Sequence, residues 1–368
     1  MFAAAAALVA LAGVTRYADL GSVTAFAAAG LAIAILAVLV GRSVDQLGDR
    51  LGAGATGVLQ SALGNLPELF VCIFALRAGL TTVVEAAIVG SVLGNVLLVL
   101  GAAFLVGGLR NGTQRFDGER ARTIAAMMLL AVVAMLVPSL TAQLHTPAAG
   151  HERTLSVVVS VVLLAVFVAS VPQSLRRTEA EQAAEPTGGG GWPIWLAVTI
   201  LAVTGVLAAV VSDWFVHALT PAIAALHISQ AFAGLVIVAV AGNAVENVVG
   251  IQLAARNQAD YALSVILNSP LQIALVLAPA LVLLSYVVGG AVFTLAFPPL
   301  LAATLVLSVV AVSFIVVDGE SVWLEGAALL GLSAIVSAFI VYDGESIWLE
   351  GVALIGLYVM IATAFFWG

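Results

Sequence analysis

Two stretches of this chain, GNLPELF at residues 64 to 70 and GNAVENV at residues 242 to 248, place a glutamate inside runs otherwise built for lipid. In each, the glutamate (Glu68 or Glu246) follows an asparagine (Asn65 or Asn243) by three positions. A carboxylate at the middle of a bilayer costs about 2.5 to 3.5 kcal/mol on insertion scales, so such a residue must face a partner, a cavity or an ion. No intramembrane basic residue is available to pair with either glutamate. Two of them in matched settings point to a site.

The match runs beyond the motifs. A shift of 178 positions lays Gly64 on Gly242, Asn65 on Asn243, Glu68 on Glu246 and, without a gap, Ser91 on Ser269. Each copy passes through an apolar helix, a short polar break and a second apolar helix, as expected of a transporter built from two related halves. With 63% hydrophobic and 9% charged residues, the polar groups of 368 residues cannot coat a soluble globule. The fold class predicted is an all-α polytopic membrane protein. Cys72 is the only cysteine and the four histidines show no zinc-ligand spacing, which excludes an intramolecular disulfide and a structural zinc site. The net charge of −8 comes mostly from loop acids, so nucleic acid is not an expected partner, whereas the lipid bilayer is. No nucleophile, phosphate-binding loop or cofactor motif is present, so neither an enzyme nor an ATP-driven pump is expected, and no cofactor.

In chain order, residues 1–21 carry a leading helix. Its apolar part, residues 2 to 13, is only about 18 Å long as a helix against a hydrocarbon core of about 30 Å. It lacks a positively charged start, so a short tilted helix reaching toward Tyr17 is expected rather than a cleaved signal peptide. The first half, residues 22–174, reads as spans at 22–41, 53–76, 83–108, 123–140 and 154–172. The polar stretch after the first of these reads as a solvated interfacial helix. Pro67 falls inside the second span, where a proline frees a carbonyl one turn back. Ser91 and Asn95, one turn apart, share a face of the third. Residues 175–192 read as an acidic, glycine-rich linker. The second half, residues 193–368, reads as spans at 193–211, 229–255, 260–288 and 297–317. Pro270 repeats the helix-breaking theme just after Ser269, with Gln272 two residues on. In the tail, IVVDGESVWLEGAALLGL from residue 315 returns as IVYDGESIWLEGVALIGL from residue 340, a tandem duplication with fourteen identities and a 25-residue period. The acids Asp318, Glu320, Asp343 and Glu345 of its DGES turns read as helix caps and interfacial charges.

The twelve basic residues, all arginine, orient the chain. With a cytoplasmic amino terminus and every span crossing, nine of them fall inside and only Arg16, Arg77 and Arg153 outside, as the positive-inside rule requires. Five spans separate the starts of the two halves. An odd number inverts one repeat against the other, so the motif helices enter from opposite sides and meet near the midplane.

At these residues the chain resembles the calcium/proton exchangers of the cation/calcium antiporter superfamily. GNLPEL resembles the family's first alpha-repeat, GSVLGNVLLVLG its following helix, GNAVEN its second repeat and NSPLQIALVLAP the helix after that. The resemblance implies eleven helices, here extended by one duplicated tail helix at about residues 323 to 341: a leading helix and two inverted five-helix repeats. It also implies that Glu68 and Glu246 carry the cation and the protons, with Asn65, Ser91, Asn95, Asn243, Ser269 and Gln272 as nearby polar groups. Three departures stand out. Asn247 takes the place of the family's usual histidine, which bears on pH dependence. Asn268, Ser269, Pro270, Leu271 and Gln272 stand where Gly-Ser-Ser-x-Gln is familiar, which bears on cation preference. The extra tail unit bears on the side of the carboxyl terminus.

The residue types fit that chemistry. Calcium takes six to eight oxygens from carboxylates, amide and backbone carbonyls and water. Two carboxylates sharing a dry site cannot both stay ionised cheaply without a cation, so protons replace a departing divalent ion. The expected function is antiport of Ca2+, with other divalent cations as further candidates, against H+ by alternating access. Ca2+ is here a transported substrate. Sodium-coupled calcium exchange is the alternative, with a passive cation channel behind it; the sodium/calcium exchangers usually carry Gly-Thr-Ser before the acid, and the Gly-Asn form here favours protons. The shortness of soluble extensions points to a prokaryotic inner membrane, and assembly into a homo-oligomer is compatible with the sequence.

Overall fold

Apolar segments in lipid must pair every backbone polar group internally, and this chain does so as helices. The computed structural model describes residues 1–18, 20–51, 59–60, 63–182 and 192–341, with the backbone alone described at 48–51, 172–182, 244–247 and 338–341. The core of the linker and the second tail unit, with Asp343 and Glu345, lie outside the described residues. Helices α1 (Phe2–Tyr17) and α2 (Ser22–Leu51) open the chain. The first half continues with α3 (Leu66–Arg77), α4 (Thr81–Asn111), α5 (Gly118–Met135), α6 (Val137–Gln143) and α7 (Glu152–Gln182). The second holds α8 (Ile194–Leu226), α9 (Gln230–Gly242), α10 (Ala244–Ala255), α11 (Ala259–Val288), α12 (Pro299–Ile315) and α13 (Trp323–Val341). Among the described residues six apolar stretches are long enough to cross a membrane: α2, α4, α5 with α6, α7, α8 and α11.

The 178-residue shift carries into three dimensions. Residues 66–77 of α3 shifted by 178 become 244–255, the bounds of α10, and Thr81 at the start of α4 becomes Ala259 at the start of α11. Each motif helix starts after a break at its asparagine, and the two breaks have nearly the same backbone: φ −92°, ψ 17° at Asn65 and φ −100°, ψ 24° at Asn243. This corrects two expectations. The helix expected over 53–76 is interrupted at Gly64 and Asn65, so Pro67 lies in the first turn of α3, where a missing N–H costs nothing. The span expected over 229–255 is divided at Asn243 into α9 and α10.

Pro270 also behaves differently from the expectation. It lies inside α11, which continues through it and widens into a π-helical turn at Ile273–Leu277. The corresponding turn of α4, Gly94–Val99, contains no proline, so the widening belongs to the repeat and not to Pro270. A third π-helical turn, Ala233–Val238, lies in α9. The polar stretch after residue 41 is continuous with α2, and Ser43, Val44 and Leu47 on it are buried, so one face is packed rather than solvated.

The correspondence between the two halves is visible in the packing. α7 lies along α11 as α13 lies along α4, α5 packs on α11 as α12 packs on α4, and α8 contacts α3 as α2 contacts α10. α2 and α8, about 45 and 50 Å long at 1.5 Å per residue, pair with each other across the two halves. Phe26 stacks on Phe215 between them at 4.7 Å. α4 is central, with 78% of its most apolar stretch buried against 17% in peripheral α7.

Loops that the alternating topology assigns to one side do meet. Strand β1 (Gln114–Arg115) pairs antiparallel with β2 (Glu320–Ser321), and Arg115 bridges Glu320 at 3.0 Å. Gln114 Nε2 donates to Ala254 O and to Asn257 Oδ1, both at 2.9 Å, and Arg122 donates to Val317 O at 2.8 Å. On the other side Ser139 Oγ donates to Leu295 O at 2.8 Å, and Ala291 N donates to Leu76 O at 3.0 Å.

At the centre α4 and α9 touch nearly backbone to backbone. A Cβ added at Gly90 would lie 2.2 Å from Leu235 O, and one at Gly234 would lie 2.3 Å from Val83 O. Neither obstacle is a flexible side chain, so the helices themselves would have to part. Gly90→Ala and Gly234→Ala are each expected to destabilise the protein by about 1 to 3 kcal/mol, read as a lowered melting temperature in detergent. An unchanged melting temperature for both would show that the crossing tolerates expansion.

Candidate functional site

The α4/α9 crossing brings one repeat's polar groups against the other's. Glu68 lies in the first turn of α3, fully buried, and accepts a hydrogen bond from Ser91 Oγ on α4. Asn243 Nδ2 donates to Ser91 Oγ at 3.0 Å and to Ala239 O at 2.9 Å. Ser269 Oγ on α11 donates to Asn243 Oδ1 at 3.2 Å. Asn95 Nδ2, in the π-helical turn of α4, lies within 3.2 Å of Asn243 Oδ1, 3.3 Å of Ser269 Oγ and 2.9 Å of Ser91 O. Glu68, Ser91, Asn243, Ser269 and Asn95 thus form one network across α3, α4, α11 and the break between α9 and α10. Each of the five, and Asn65, is at most 8% exposed.

The helix breaks explain why these groups can collect here. α3 and α10 begin at the site, and the unpaired N–H groups of a helix start favour an acidic side chain in the first turn, where Glu68 and Glu246 both fall. α9 ends at the site, so its last carbonyls are available to other donors; Ala239 O accepts from both the backbone N and the side chain of Asn243. Gly242 completes the fit. A Cβ there would lie 3.3 Å from Cβ, 3.4 Å from Cγ and 3.5 Å from Cδ of Glu68, so the first repeat's glutamate rests against the second repeat's motif glycine.

The remaining expected residues are placed as follows. Asn65 is buried at the N-cap of α3, where its backbone carbonyl accepts from Leu69 N at 2.9 Å. Gln272 is half-buried in α11 just before the π-helical turn and, among the described residues, makes no hydrogen bond to the network. Glu246 is in the first turn of α10, but its side chain and that of Asn247 lie outside the described residues. Sequence reasoning missed Gly90 and Gly234, whose only signal is glycine inside an apolar helix, and the π-helical turns, which leave no signal in residue type; it found Gly242 as part of the repeat, without its contact to Glu68. Among the described residues no three His, Cys, Asp or Glu side chains gather in one group. A cation held here would take most of its oxygens from amides, hydroxyls, backbone and water, the mixed set that a hard cation accepts.

The chain is similar to known proteins in sequence and in fold. The family described as sodium/calcium exchanger protein matches residues 21–173 and 196–342. A Ca2+/H+ antiporter of Aphanothece halophytica is 35% identical over 327 residues, 83% of this chain and 87% of the relative. The Ca2+/H+ antiporter ChaA of Bacillus subtilis is 33% identical over 327 residues, 84% of this chain and 89% of the relative. The solved structure of native YfkE superposes with a TM-score of 0.79 at 31% identity, covering 92% of this chain and 99% of that one. The chain therefore belongs to the sodium/calcium exchanger protein family.

Proposed function

We propose that this protein is a secondary antiporter exchanging Ca2+ for H+, with Glu68 and Glu246 binding the cation and the protons in turn. The observation that carries this reading is the buried carboxylate of Glu68, joined through Ser91 to Asn243 of the opposite repeat. Such a group binds a cation when ionised and stays cheaply in a dry site only when neutralised. Relatives matching over four-fifths of the chain are named for calcium and protons, which favours proton coupling over the sodium coupling in the family's name. Bacterial relatives and the arginine distribution support a plasma-membrane antiporter with its amino terminus in the cytoplasm.

Competition for one set of oxygens sets the sign of the pH effect. Protonating the carboxylates removes calcium ligands, so the half-saturating Ca2+ concentration rises as the pH on the binding side falls. A rise steeper than tenfold per pH unit marks competition by more than one proton.

The deciding experiment uses proteoliposomes with an acidic interior, following internal pH and radioactive calcium after external calcium is added. Wild type is expected to take up calcium as the gradient collapses, and Glu68→Gln and Glu246→Gln each to abolish both signals. Calcium uptake that needs an opposing sodium gradient, or that leaves the pH gradient intact, would overturn proton coupling.

Two further substitutions probe the network. Ser91→Ala removes the hydroxyl linking Glu68 to Asn243 and is expected to lower uptake at subsaturating calcium roughly tenfold, as for loss of a hydrogen bond to a charged group. Gly242→Ala pushes a methyl group against the glutamate and should weaken calcium binding while the protein stays folded. Normal binding in both variants would place the cation elsewhere.

A further inference from the structure

Gly242 is the seat of Glu68, and the 178-residue shift lays Gly64 on Gly242 and Glu246 on Glu68. The two breaks share their backbone angles, so the relation between the halves assigns Gly64 of the first repeat as the seat of the second repeat's glutamate. Whatever lies against Gly64 then belongs to that end of the site. A Cβ built on Gly64 would lie 3.3 Å from Nε2 of Gln60, one turn back along the chain, and Gln60 O accepts from Gly64 N at 2.8 Å. The amide of Gln60 thus covers the motif glycine.

That amide is idle in the protein alone. Its Oε1 is enclosed without a partner, and among the described residues its side chain makes no hydrogen bond. Enclosed amides are otherwise paired, so an idle one at a motif glycine marks a group whose partner is the cargo. The last torsion of a glutamine side chain is soft and roughly two-fold, and a half-turn about it exchanges Nε2 for Oε1 against Gly64. Packing does not call for a glutamine here. Its counterpart 178 positions on is Val238, 2% exposed in the π-helical turn of α9, so an apolar side chain fills the same place in the second repeat.

We propose that Gln60 is a further ligand of the transported cation, giving it an amide oxygen at the Glu246 end of the site. This rests on the reading of the paired glutamates and their network as the cation site. Calcium takes amide carbonyls among its six to eight oxygens, and Gln60 supplies one from the first repeat where Val238 supplies none from the second. The two ends of the site are therefore unequal, with the additional neutral oxygen on the side of Glu246.

The test compares wild type, Gln60→Val, Gln60→Met and Gln60→Glu as full-length, reconstituted protein. Valine is the second repeat's own residue, methionine keeps the length without the amide, and glutamate keeps an oxygen. The measurements are equilibrium binding of radioactive calcium at fixed pH, the calcium dependence of exchange, and the melting temperature. Gln60→Val and Gln60→Met are each expected to raise the dissociation constant and KM about tenfold, the size of one lost bond to a charged group, with the maximal rate within about twofold. Gln60→Glu is expected to bind calcium more tightly than wild type. Apolar variants that bind calcium like wild type, or that lose melting temperature and maximal rate at an unchanged dissociation constant, would overturn the proposal. Should both apolar variants fail to fold, Gln60→Glu decides, and calcium binding no tighter than wild type overturns it. Wild-type exchange with unaffected apolar variants removes Gln60 only, whereas a wild type without calcium binding removes the site reading and Gln60 with it.

Discussion

Everything in this structure is arranged around the cost of holding the carboxylate of Glu68 away from water. A continuous apolar helix could not hold it, because every backbone donor and acceptor near it would already be in use. The chain meets the difficulty by breaking helices where the acid lies. α3 and α10 start at the site and present unpaired N–H groups, while α9 ends there and presents carbonyls. Breaks of this kind are tolerable at membrane depth only where other protein covers them, so the motif segments are enclosed by α2, α4, α8 and α11.

Enclosure in turn explains the glycines. Ser91 must reach both Glu68 and Asn243, which lie on different repeats, and hydroxyl and amide groups have short reach. The backbones of α4 and α9 must therefore approach more closely than side chains normally allow, which is what Gly90 and Gly234 permit. Without a hydrophobic driving force between helices in lipid, close packing and interhelical hydrogen bonds are the main terms left, and the site supplies both. Function and fold share the same contacts here.

The parts legible in the sequence were those tied to a periodic or chemical anomaly. A glutamate in an apolar run is costly enough to be noticed, and its repetition at 178 residues predicted paired helices whose observed bounds, 66–77 and 244–255, differ by that shift. The repeat set Ser91 against Ser269 and Asn65 against Asn243, and the resemblance to the exchangers placed Ser91, Asn95, Asn243 and Ser269 near it. What stayed hidden was local backbone geometry. Proline draws attention as a helix breaker, yet Pro67 starts a helix and Pro270 is absorbed within one, while the breaks fall at the asparagines. Residue type records the cost of a conformation, and neither a π-helical turn nor a break after Gly-Asn is costly enough to leave a mark. Gln272 is polar and lies three positions after Ser269, yet among the described residues it makes no hydrogen bond to the network.

The same electrostatic constraint that shapes the fold also accounts for obligatory exchange under the proposed function. With two carboxylates in one site, one divalent cation or two protons leave the pair formally neutral, whereas the empty site carries two negative charges. An uncompensated charge in a low-dielectric interior carries a penalty of several kcal/mol even after relaxation, and two like charges at short range raise it further. The loaded forms can therefore rearrange and the empty form cannot, without any additional gate. On this argument the polar network matters less as a cage than as a set of dipoles that makes the two neutral forms similar in shape. Ser91 can donate to an ionised Glu68 and accept from a protonated one, so the link between the repeats survives the exchange of one cargo for the other.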